Sequence, residues 1–511
     1  MTDADADADV IVVGAGFAGM SAARALAGAG LKVVVLEARN RVGGRTHTVE
    51  RSGVTLDLGG QWIGPGQSRI AALADELGVD TYPQYDDGDD VVVRAGTVVR
   101  VASPALAFAK EELLGYLELV AALEALADTV PTDAPWQAPK AATLDRQTLA
   151  TWIDGRGVPG AATELFEVGV QAVFAATSAD LSLLHVAHYV AAAGGWSALT
   201  DTTGGAQERR IVGGLEPLAR RLAEQLPGGV QLDSEVLGLD WDRDNDGVTV
   251  TVQRRAPAAV GSDLGGTMGP GGSTGARIEW LRARRVIVAV PPTVAQRIAF
   301  DPPLPPARDQ LMANMPGGSV IKFHVIYPTP FWRAAGLSGQ VIAPGAVVGA
   351  TFDSTAPNHV PDGPGVITGF FEAAHATAAG RHSQQDRRQM VVDHLVAALG
   401  EKAAAPQDYV DLDWSAEPHT RGCYGAHLPP GAWTRWGPEL RHPVGPIHWA
   451  GSECATRWVG YIDGAIESGR TTAAEVANQL QPNAPSGAHH RYDGDPHGRD
   501  PHHSPTERTD V

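Results

Sequence analysis

A glycine-rich turn near the amino terminus limits the fold of this chain more than any other feature. The apolar run Val10–Val13 leads directly into Gly14-Ala15-Gly16-Phe17-Ala18-Gly19 and then into a helical pattern. In such a unit the first glycine allows a tight turn, the second lets the backbone approach a pyrophosphate, and the third lets helix and strand pack closely. The next predicted strand ends at Glu37, whose carboxylate can bind the ribose hydroxyls of an adenosine. The sequence therefore predicts dinucleotide binding.

The segments after Glu37 distinguish FAD from NAD. Residues 38–45 carry paired arginines, Arg39 and Arg45, beside a glycine turn that ends at Gly44. Guanidinium groups at such a turn are suited to form a second set of hydrogen bonds to a pyrophosphate. A second glycine turn follows, where the backbone can pass close to a planar ring, and it contains Gly60, Gln61 and Trp62. Together these segments favour FAD.

Composition narrows the class of protein. The 511 residues suggest two or more structural units, and 43% are hydrophobic, which is enough for a sizeable core. The formal net charge of −19 argues against a nucleic-acid partner or an anionic membrane surface. Two cysteines, Cys423 and Cys454, exclude a disulfide framework and a multi-cysteine metal site. No metal is implied.

The ends of the chain and one internal segment are low in complexity. Residues 1–9 alternate Asp and Ala, and residues 482–511 are rich in Pro, Gly, His and Asp, so we expect both to be disordered tails. The acidic start does not resemble a secretory signal, and glycines together with Arg24 interrupt the apolar stretch that follows. We therefore expect a soluble, cytoplasmic protein. Residues 256–275 read as a long surface loop within a hairpin.

The remaining patterns indicate mixed secondary structure. Helical periodicity is clear over residues 106–127 and 216–225. Strand-like runs occupy residues 10–13, 32–37, 91–93, 248–254, 286–290 and 320–327. Such a mixture predicts an α/β or α+β protein.

Five separated motifs resemble the flavin-containing amine oxidase family, and the monoamine oxidases in particular. Beyond the first glycine turns, they are residues 202–209 (TTGGAQER), 318–333 with Lys322, 422–431 with Cys423 and Tyr424, and 448–465 with Tyr461. The resemblance covers about residues 8–480. It implies an α/β protein with a Rossmann-like FAD-binding domain of discontinuous segments and an inserted α+β substrate-binding domain. The FAD domain would use residues 10–85, 205–297 and 417–480, and the substrate domain residues 86–204 and 298–416.

The resemblance also implies roles for single residues. Val236 would bind adenine through its backbone, and Trp414 would pack on the flavin. Ser452, Glu453, Gly460 and Ile462 would meet the pyrophosphate, the ribityl chain or the ring. Gln207 would border the substrate. Cys423 stands where monoamine oxidases link a thioether to FAD, so a covalent flavin is expected, whereas Cys454 matches no anchor position and is expected to pack.

Amine oxidation gives the protein a limited set of tasks, because the flavin carries the redox chemistry. The protein must deliver a neutral amine, orient its C–H bond and exclude water. Tyr424 and Tyr461 are the candidates for an aromatic cage that holds the amine and lowers the pKa of an incoming ammonium. Lys322, by resemblance, holds a water that serves reoxidation by oxygen. The expected products are an imine, then aldehyde plus ammonia, and hydrogen peroxide.

Several alternatives stay open. A primary monoamine is the expected substrate, but a polyamine oxidase would need an acidic group in its pocket, and an L-amino-acid oxidase would need an arginine for the carboxylate. The stretch 196–200 matches the monoamine oxidases poorly, so substrate identity does not carry over. A flavin-binding protein without oxidase activity would release no peroxide. The oligomeric state is open, a homodimer included.

Overall fold

The computed structural model describes residues 6–241, 247–255, 276–359 and 362–481. The strands, in chain order, are β1 (Ala8–Val13), β2 (Val33–Leu36), β3 (Thr48–Arg51), β4 (Val54–Asp57), β5 (Trp62–Ile63), β6 (Thr81–Pro83), β7 (Asp89–Arg94), β8 (Thr97–Val101), β9 (Arg209–Ile211), β10 (Val230–Gln231), β11 (Ser234–Trp241), β12 (Val248–Arg254), β13 (Arg277–Val288), β14 (Ala299–Asp301), β15 (Val320–Tyr327), β16 (Leu337–Ile342), β17 (Ala350–Asp353), β18 (Gly365–Glu372), β19 (Asp408–Asp413) and β20 (Ile447–Trp449). The helices are α1 (Phe17–Gly28), α2 (Ser68–Glu76), α3 (Lys110–Ala127), α4 (Ala141–Arg146), α5 (Leu149–Asp154), α6 (Gly160–Phe174), α7 (Leu183–Ala193), α8 (Trp196–Thr200), α9 (Leu215–Glu224), α10 (Pro292–Ala295), α11 (Pro306–Ala313), α12 (Phe331–Ala334), α13 (Ala373–Ala379), α14 (Gln384–Leu399), α15 (Ala432–Trp436) and α16 (Ile462–Leu480).

The first sheet contains the predicted dinucleotide-binding unit. Its strand order is β10-β2-β1-β13-β12-β11-β14, with β20 paired to β13. β1 runs parallel to both β2 and β13, and its residues are almost all buried, as a central parallel strand with both faces covered requires. Helix α1 packs closely on α16, since a Cβ at Gly469 would lie 2.1 Å from the Ala18 carbonyl oxygen. The sheet is Rossmann-like.

The second sheet carries the other half of the fold. Its order is β19-β15-β18-β17-β16-β7-β8, and every residue of β15 and β18 is buried. β15 and β18 are antiparallel, with Lys322 opposite Phe370 and Val320 opposite Glu372. Because opposite residues of a pair project to the same face, these four side chains share one face of the sheet. That face covers the cavity described below.

Helices α3 to α8 pack into a separate apolar cluster. All residues of α7 except Ala191 are buried. Trp196 of α8 and Phe166 of α6 stack on each other at a centroid distance of 4.7 Å. None of the helices that the structure describes is long and apolar enough to cross a membrane.

The predicted elements occur with small shifts at their ends. β1 begins at Ala8, inside the segment expected to be a tail, because the Asp7 amide donates to the Arg282 carbonyl and the Asp9 carboxylate accepts from the Lys32 amide. The helix expected from residue 106 begins at Lys110, because residues 104–107 form a separate 3-10 turn that starts at a proline.

Other expectations concern the hairpin, the carboxyl-terminal tail and the domain boundaries. β12 and β13 form the predicted hairpin, with Arg254 opposite Arg277. Residues 256–275 and 482–511, where we expected a loop and a tail, lie outside the described residues. Strand β14 pairs with β11 in the first sheet although it follows the boundary that we expected at residue 297. The division into domains otherwise stays a prediction.

Candidate active site

A single cavity of about 370 Å³ runs between the first sheet, the second sheet and α7. Most of the predicted site residues line it: Gly14, Gly16, Glu37, Arg39, Gly44, Arg45, Gly60, Gln61, Trp62, Gln207, Val236, Lys322, Trp414, Cys423, Tyr424, Ser452, Gly460, Tyr461 and Ile462. The fold thus brings together residues that lie more than 400 positions apart in the sequence. The two ends of the cavity differ in chemistry.

The glycine turn forms one end. Gly14 has φ +102°, and a Cβ there would lie 2.9 Å from the Ala289 carbonyl oxygen, so only glycine fits. A Cβ at Gly19 would lie 2.0 Å from the Gly14 carbonyl oxygen, which explains the third glycine by helix–strand packing. Gly16 is the N-cap of α1, and no described side chain caps the helix by a hydrogen bond. A Cβ added at Gly16 would have the Cα of Gly44 as its nearest atom, 4.0 Å away. The start of α1, residues 16–18, lines the cavity.

Glu37 is buried at the end of β2, as the sequence predicted. Its carboxylate accepts hydrogen bonds from the Ala15 amide at 2.9 Å and the Arg39 amide at 3.0 Å. These bonds fix the turn. Ala15 and Gly19, which we expected to touch the cofactor, lie behind the described lining of the cavity. The Ala15 amide instead donates to the Glu37 carboxylate.

Arg45 connects three segments beneath the cavity. Its guanidinium donates to Glu453 at 2.6 and 3.0 Å, to the Ser452 hydroxyl at 3.0 Å and to the Tyr424 carbonyl oxygen at 2.9 Å. Burial opposes ionisation of Glu453, but Arg45 lowers the pKa of Glu453 to about 2. Glu453 therefore stays ionised and also accepts from the Ala426 amide. It lies behind the described lining, so it positions Arg45 rather than facing the cavity.

Lys322 lies at the middle of the cavity wall. Its Nζ donates to the Gly59 carbonyl oxygen at 2.8 Å and to Gln61 Oε1 at 2.6 Å. Burial lowers the pKa of Lys322 far below the ordinary lysine value, which favours the neutral amine. A neutral amine that donates two hydrogen bonds keeps its lone pair free to accept another. The Lys322 Nζ also lies 5.7 Å from the centroid of the Trp62 ring.

The other end of the cavity is aromatic. Tyr424 and Tyr461 both line it, and Phe370 contacts the Tyr424 ring at a centroid distance of 6.0 Å. Burial raises the pKa of both tyrosines, so both stay protonated. Trp414 packs nearby and donates its indole N–H to the Leu58 carbonyl oxygen at 2.8 Å. The rings of these walls are therefore neutral.

Cys423 lies between the two ends. Its thiol is free, buried and part of the cavity lining. Burial raises the pKa of Cys423 to about 12, although Arg45 acts in the opposite direction. Cys454 contacts the Leu440 carbonyl oxygen at 3.5 Å and lies outside the described lining of this cavity, as expected for a packing residue.

The structure also shows lining residues that the sequence did not indicate. Tyr189 of α7 reaches the cavity, and a Cβ at Gly460 would lie 1.6 Å from the Tyr189 hydroxyl oxygen. Glu372 lines the cavity and accepts a hydrogen bond from the Tyr424 hydroxyl at 2.9 Å. Tyr189 had no detectable signal on an apolar helix. Glu372 had a detectable signal, because it is the one charged residue in the otherwise apolar run 365–372 (GVITGFFE).

The residues present fit an FAD. The glycine turns have no side chains that would reduce the space available to a cofactor. The backbone amides at the start of α1 are suited to bind a pyrophosphate. Several buried polar atoms lack a partner within the part of the chain that the structure describes, namely Arg39 Nε, Gln61 Nε2, Gln67 Nε2 and Gln207 Oε1, and all four residues line the cavity. Such orphaned groups are expected where a polar ligand binds.

Comparisons with known proteins identify relatives of this chain. The family model described as flavin containing amine oxidoreductase matches residues 17–477. A protein of Mycobacterium tuberculosis named as a flavin-containing monoamine oxidase is 39% identical over 464 residues, which cover 91% of this chain and 95% of that protein. The solved structure of a putrescine oxidase bound to putrescine superposes with a TM-score of 0.83 at 33% identity, covering 92% of this chain and 98% of the other. Cyclohexylamine oxidase from Brevibacterium oxydans gives a TM-score of 0.82 at 33% identity, covering 93% and 100%.

Proposed function

The chain belongs to the flavin-containing amine oxidoreductase family, and from that premise we propose that its substrate is a primary monoamine held between Tyr424 and Tyr461. The enzyme uses FAD to oxidise an amine to an imine, which water converts to aldehyde and ammonia. When bound, FAD accepts two electrons from the amine and passes them to oxygen, which gives hydrogen peroxide. The observation that carries the monoamine proposal is the set of neutral aromatic rings, those of Tyr424, Tyr461 and Phe370, that line the cavity.

The side chains of the cavity perform the remaining tasks. The rings of Tyr424 and Tyr461 hold the amine by dispersion and by attraction to their faces, and they keep water from the reacting carbon. Desolvation between them favours the neutral amine over the ammonium. Gln207 borders the substrate, and its Oε1 is free to accept a hydrogen bond within the described residues, while its Nε2 donates to the Leu199 carbonyl oxygen at 3.1 Å. Lys322 offers its lone pair to a water molecule.

The cofactor residues form a second part of the proposal. Backbone groups of the two glycine turns, the α1 amino terminus and Arg39 would hold the pyrophosphate, and Glu37 would hold the ribose. Val236 would meet the adenine. The ring end would be bounded by Gly60, Gln61, Trp62, Trp414, Ser452, Gly460 and Ile462. Their common position on one cavity supports this assignment.

We further propose that FAD is covalently attached through Cys423. The thiol is free, lines the cavity and is adjacent to Tyr424. Its raised pKa disfavours the thiolate in the chain alone, so the bond would form only with the cofactor already beside it. Acid precipitation of the holoenzyme should leave yellow colour in the pellet. The Cys423→Ala variant should release FAD to the supernatant, and Cys454→Ala should behave as wild type. Colour that washes out of wild-type protein would contradict the bond.

A diamine is the second candidate substrate, because Glu372, one of the carboxyl groups that line the cavity, accepts a hydrogen bond from the Tyr424 hydroxyl. A solved relative is named as a putrescine oxidase. An L-amino acid is less favoured, since the arginines among the described lining residues, Arg39, Arg45 and Arg297, lie with the glycine turns, and Arg45 is already bonded to Glu453.

A peroxidase-coupled amine panel tests these candidates. The panel should pair butylamine with 1,4-diaminobutane, which differ by one amino group, and should include phenethylamine and phenylalanine. A monoamine oxidase gives the larger kcat/KM with butylamine. A larger value with the diamine would replace the monoamine proposal, and no peroxide with any compound would leave only flavin binding.

Location and assembly are also proposals. We propose a cytoplasmic protein, for which the acidic composition is the support, and a homodimer as its assembly. Cell fractionation tests the first, and light scattering of the purified holoenzyme tests the second.

A further inference from the structure

We propose that Glu372 accepts, across the Tyr424 hydroxyl, the proton that the substrate ammonium must lose before it can be oxidised. The inference rests on the proposed function, in which a primary amine lies beside Tyr424. A strongly basic amine arrives protonated at neutral pH. An ammonium has no lone pair to stabilise the positive charge that develops at carbon when the C–H bond breaks, so a proton acceptor in the dry part of the cavity would supply the reactive form.

The geometry connects the two groups directly. The Tyr424 hydroxyl donates to Glu372 Oε1 at 2.9 Å, and both residues line the cavity. Glu372 is 5% exposed, at the end of a strand whose residues are all buried. The pairing of β15 with β18 directs Glu372 and Lys322 to the same face. The Tyr424 hydroxyl therefore lies between the Glu372 carboxyl group and an amine that binds beside the Tyr424 ring.

The charges around Glu372 leave it free to take up a proton. Tyr424 bonds Glu372 directly, and the other titratable groups that line the cavity from the elements around it are Cys423, Lys322 on β15, Tyr189 on α7 and Tyr461 before α16. Burial raises the pKa of Glu372 to about 7, although the Tyr424 hydrogen bond acts to lower it. A carboxyl group with this pKa is largely ionised above neutrality and can still hold a proton.

The transfer balances without any other reactant. The ammonium N–H bond breaks and its proton passes to the Tyr424 oxygen, while the hydroxyl proton of Tyr424 passes to Glu372 Oε1. The products are a neutral amine, an unchanged tyrosine and a carboxylic acid. No electron moves in this step. Lys322 is a less suitable acceptor, because its described hydrogen bonds go to Gly59 and Gln61, whereas Glu372 accepts directly from the Tyr424 hydroxyl.

Proton counting during inhibitor binding tests the role. The probe is α,α-dimethylbenzylamine, which cannot be oxidised because the carbon bonded to its nitrogen carries no hydrogen. Calorimetric titration of the holoenzyme in two buffers of different ionisation enthalpy gives the protons released per bound amine. Wild type should release close to one proton at about pH 6, where Glu372 is already protonated, and close to none at about pH 8. Glu372→Gln should release close to one at both pH values.

A matched control and a second readout make the result decisive. Glu167→Gln alters a half-buried carboxyl group whose pKa burial also raises but which lies outside the described lining, so it should behave as wild type. Infrared difference spectra at about pH 8 should show a protonated-carboxyl band on binding, absent from Glu372→Gln. If that variant does not fold, the wild-type pH dependence and the band decide alone.

The outcomes separate this inference from the proposed function. Equal proton release at both pH values in wild type, or the same pattern in Glu372→Gln, overturns the role of Glu372. Lower release at high pH without the infrared band also overturns it, because the amine would then remain an ammonium paired with the carboxylate. In each case, peroxide formed from a monoamine by the same preparation leaves the proposed function standing. No peroxide with any amine overturns both.

Discussion

The contact between Gly460 and Tyr189 gives a prediction that depends on the structure alone. Gly460 has φ +82°, and a Cβ there would lie 1.6 Å from the Tyr189 hydroxyl oxygen and 2.8 Å from Cζ. The Tyr189 ring is buried and packs on Phe174 at a centroid distance of 4.8 Å, so it cannot simply swing away. Gly460→Ala should therefore displace either Tyr189 or the backbone that leads into Tyr461.

The magnitude follows from two separate costs. A non-glycine residue in the left-handed region costs about 1–2 kcal/mol, and an extra methyl group forced into a packed site costs about 1–3 kcal/mol. Gly30 supplies a matched control, because its φ is +81° and nothing lies within 4 Å of a Cβ there. Gly30→Ala should thus lower the unfolding free energy by about 1–2 kcal/mol and Gly460→Ala by about 2–5 kcal/mol.

Urea denaturation of the holoenzymes, followed by tryptophan fluorescence, compares the two variants. The unfolding free energy should fall by about 1–3 kcal/mol more for Gly460→Ala than for Gly30→Ala, and kcat/KM should fall only for Gly460→Ala. In the Gly460→Ala variant, the further change Tyr189→Phe removes the hydroxyl oxygen that the new methyl group contacts, so it should recover part of the lost unfolding free energy. The reasoning is refuted if the two alanine variants unfold at the same midpoint, or if Tyr189→Phe adds its full cost to that of Gly460→Ala.

Three further predictions concern the chemistry. Lys322→Met should slow reoxidation by oxygen about tenfold or more, the loss that ~1.4 kcal/mol gives, and stopped-flow traces in which only reduction by the amine is slower would contradict the assigned role. Tyr424→Ala and Tyr461→Ala should each lower kcat/KM about tenfold through loss of ~1.5 kcal/mol of packing and cation–π attraction, and unchanged kinetics in both would make them ordinary core residues. Because Glu372 must be ionised to accept a proton, wild-type kcat/KM should fall as the pH drops through about 7, whereas a Glu372→Gln profile that keeps this step would assign it to another group.

The cofactor end of the site was largely predictable from the sequence. Gly14, Gly16 and Glu37 belong to one strand–turn–helix unit, so local spacing determines where they lie. The structure adds why Gly19 is a glycine and shows that Glu37 also fixes the turn through the Ala15 amide. Such details need backbone coordinates, because they depend on distances between atoms that are not adjacent in the chain.

The second sheet shows where sequence reasoning stops. A lysine in the apolar strand β15 reads equally as an edge residue that reaches solvent, and only the flanking strands β18 and β19 show that Lys322 is buried. Motifs indicated Tyr424 and Tyr461 as candidates for an aromatic cage, but no motif indicated that Tyr189 also lines the cavity from an apolar helix. Tertiary packing, rather than local pattern, decides these positions.

Glu372 illustrates the same limit with a chemical consequence. The sequence alone did not place an acidic residue in the substrate pocket, because Glu372 lies far from the Lys322 motif along the chain. Strand register supplies the carboxyl group instead: Val320 lies opposite Glu372, two residues from Lys322, so both ionisable groups face one cavity although 50 residues separate them in the sequence. A register shift of one residue would turn Glu372 toward the opposite face of the sheet. The proton acceptor that we propose is therefore a property of how β15 and β18 pair, and it could not be read from either strand alone.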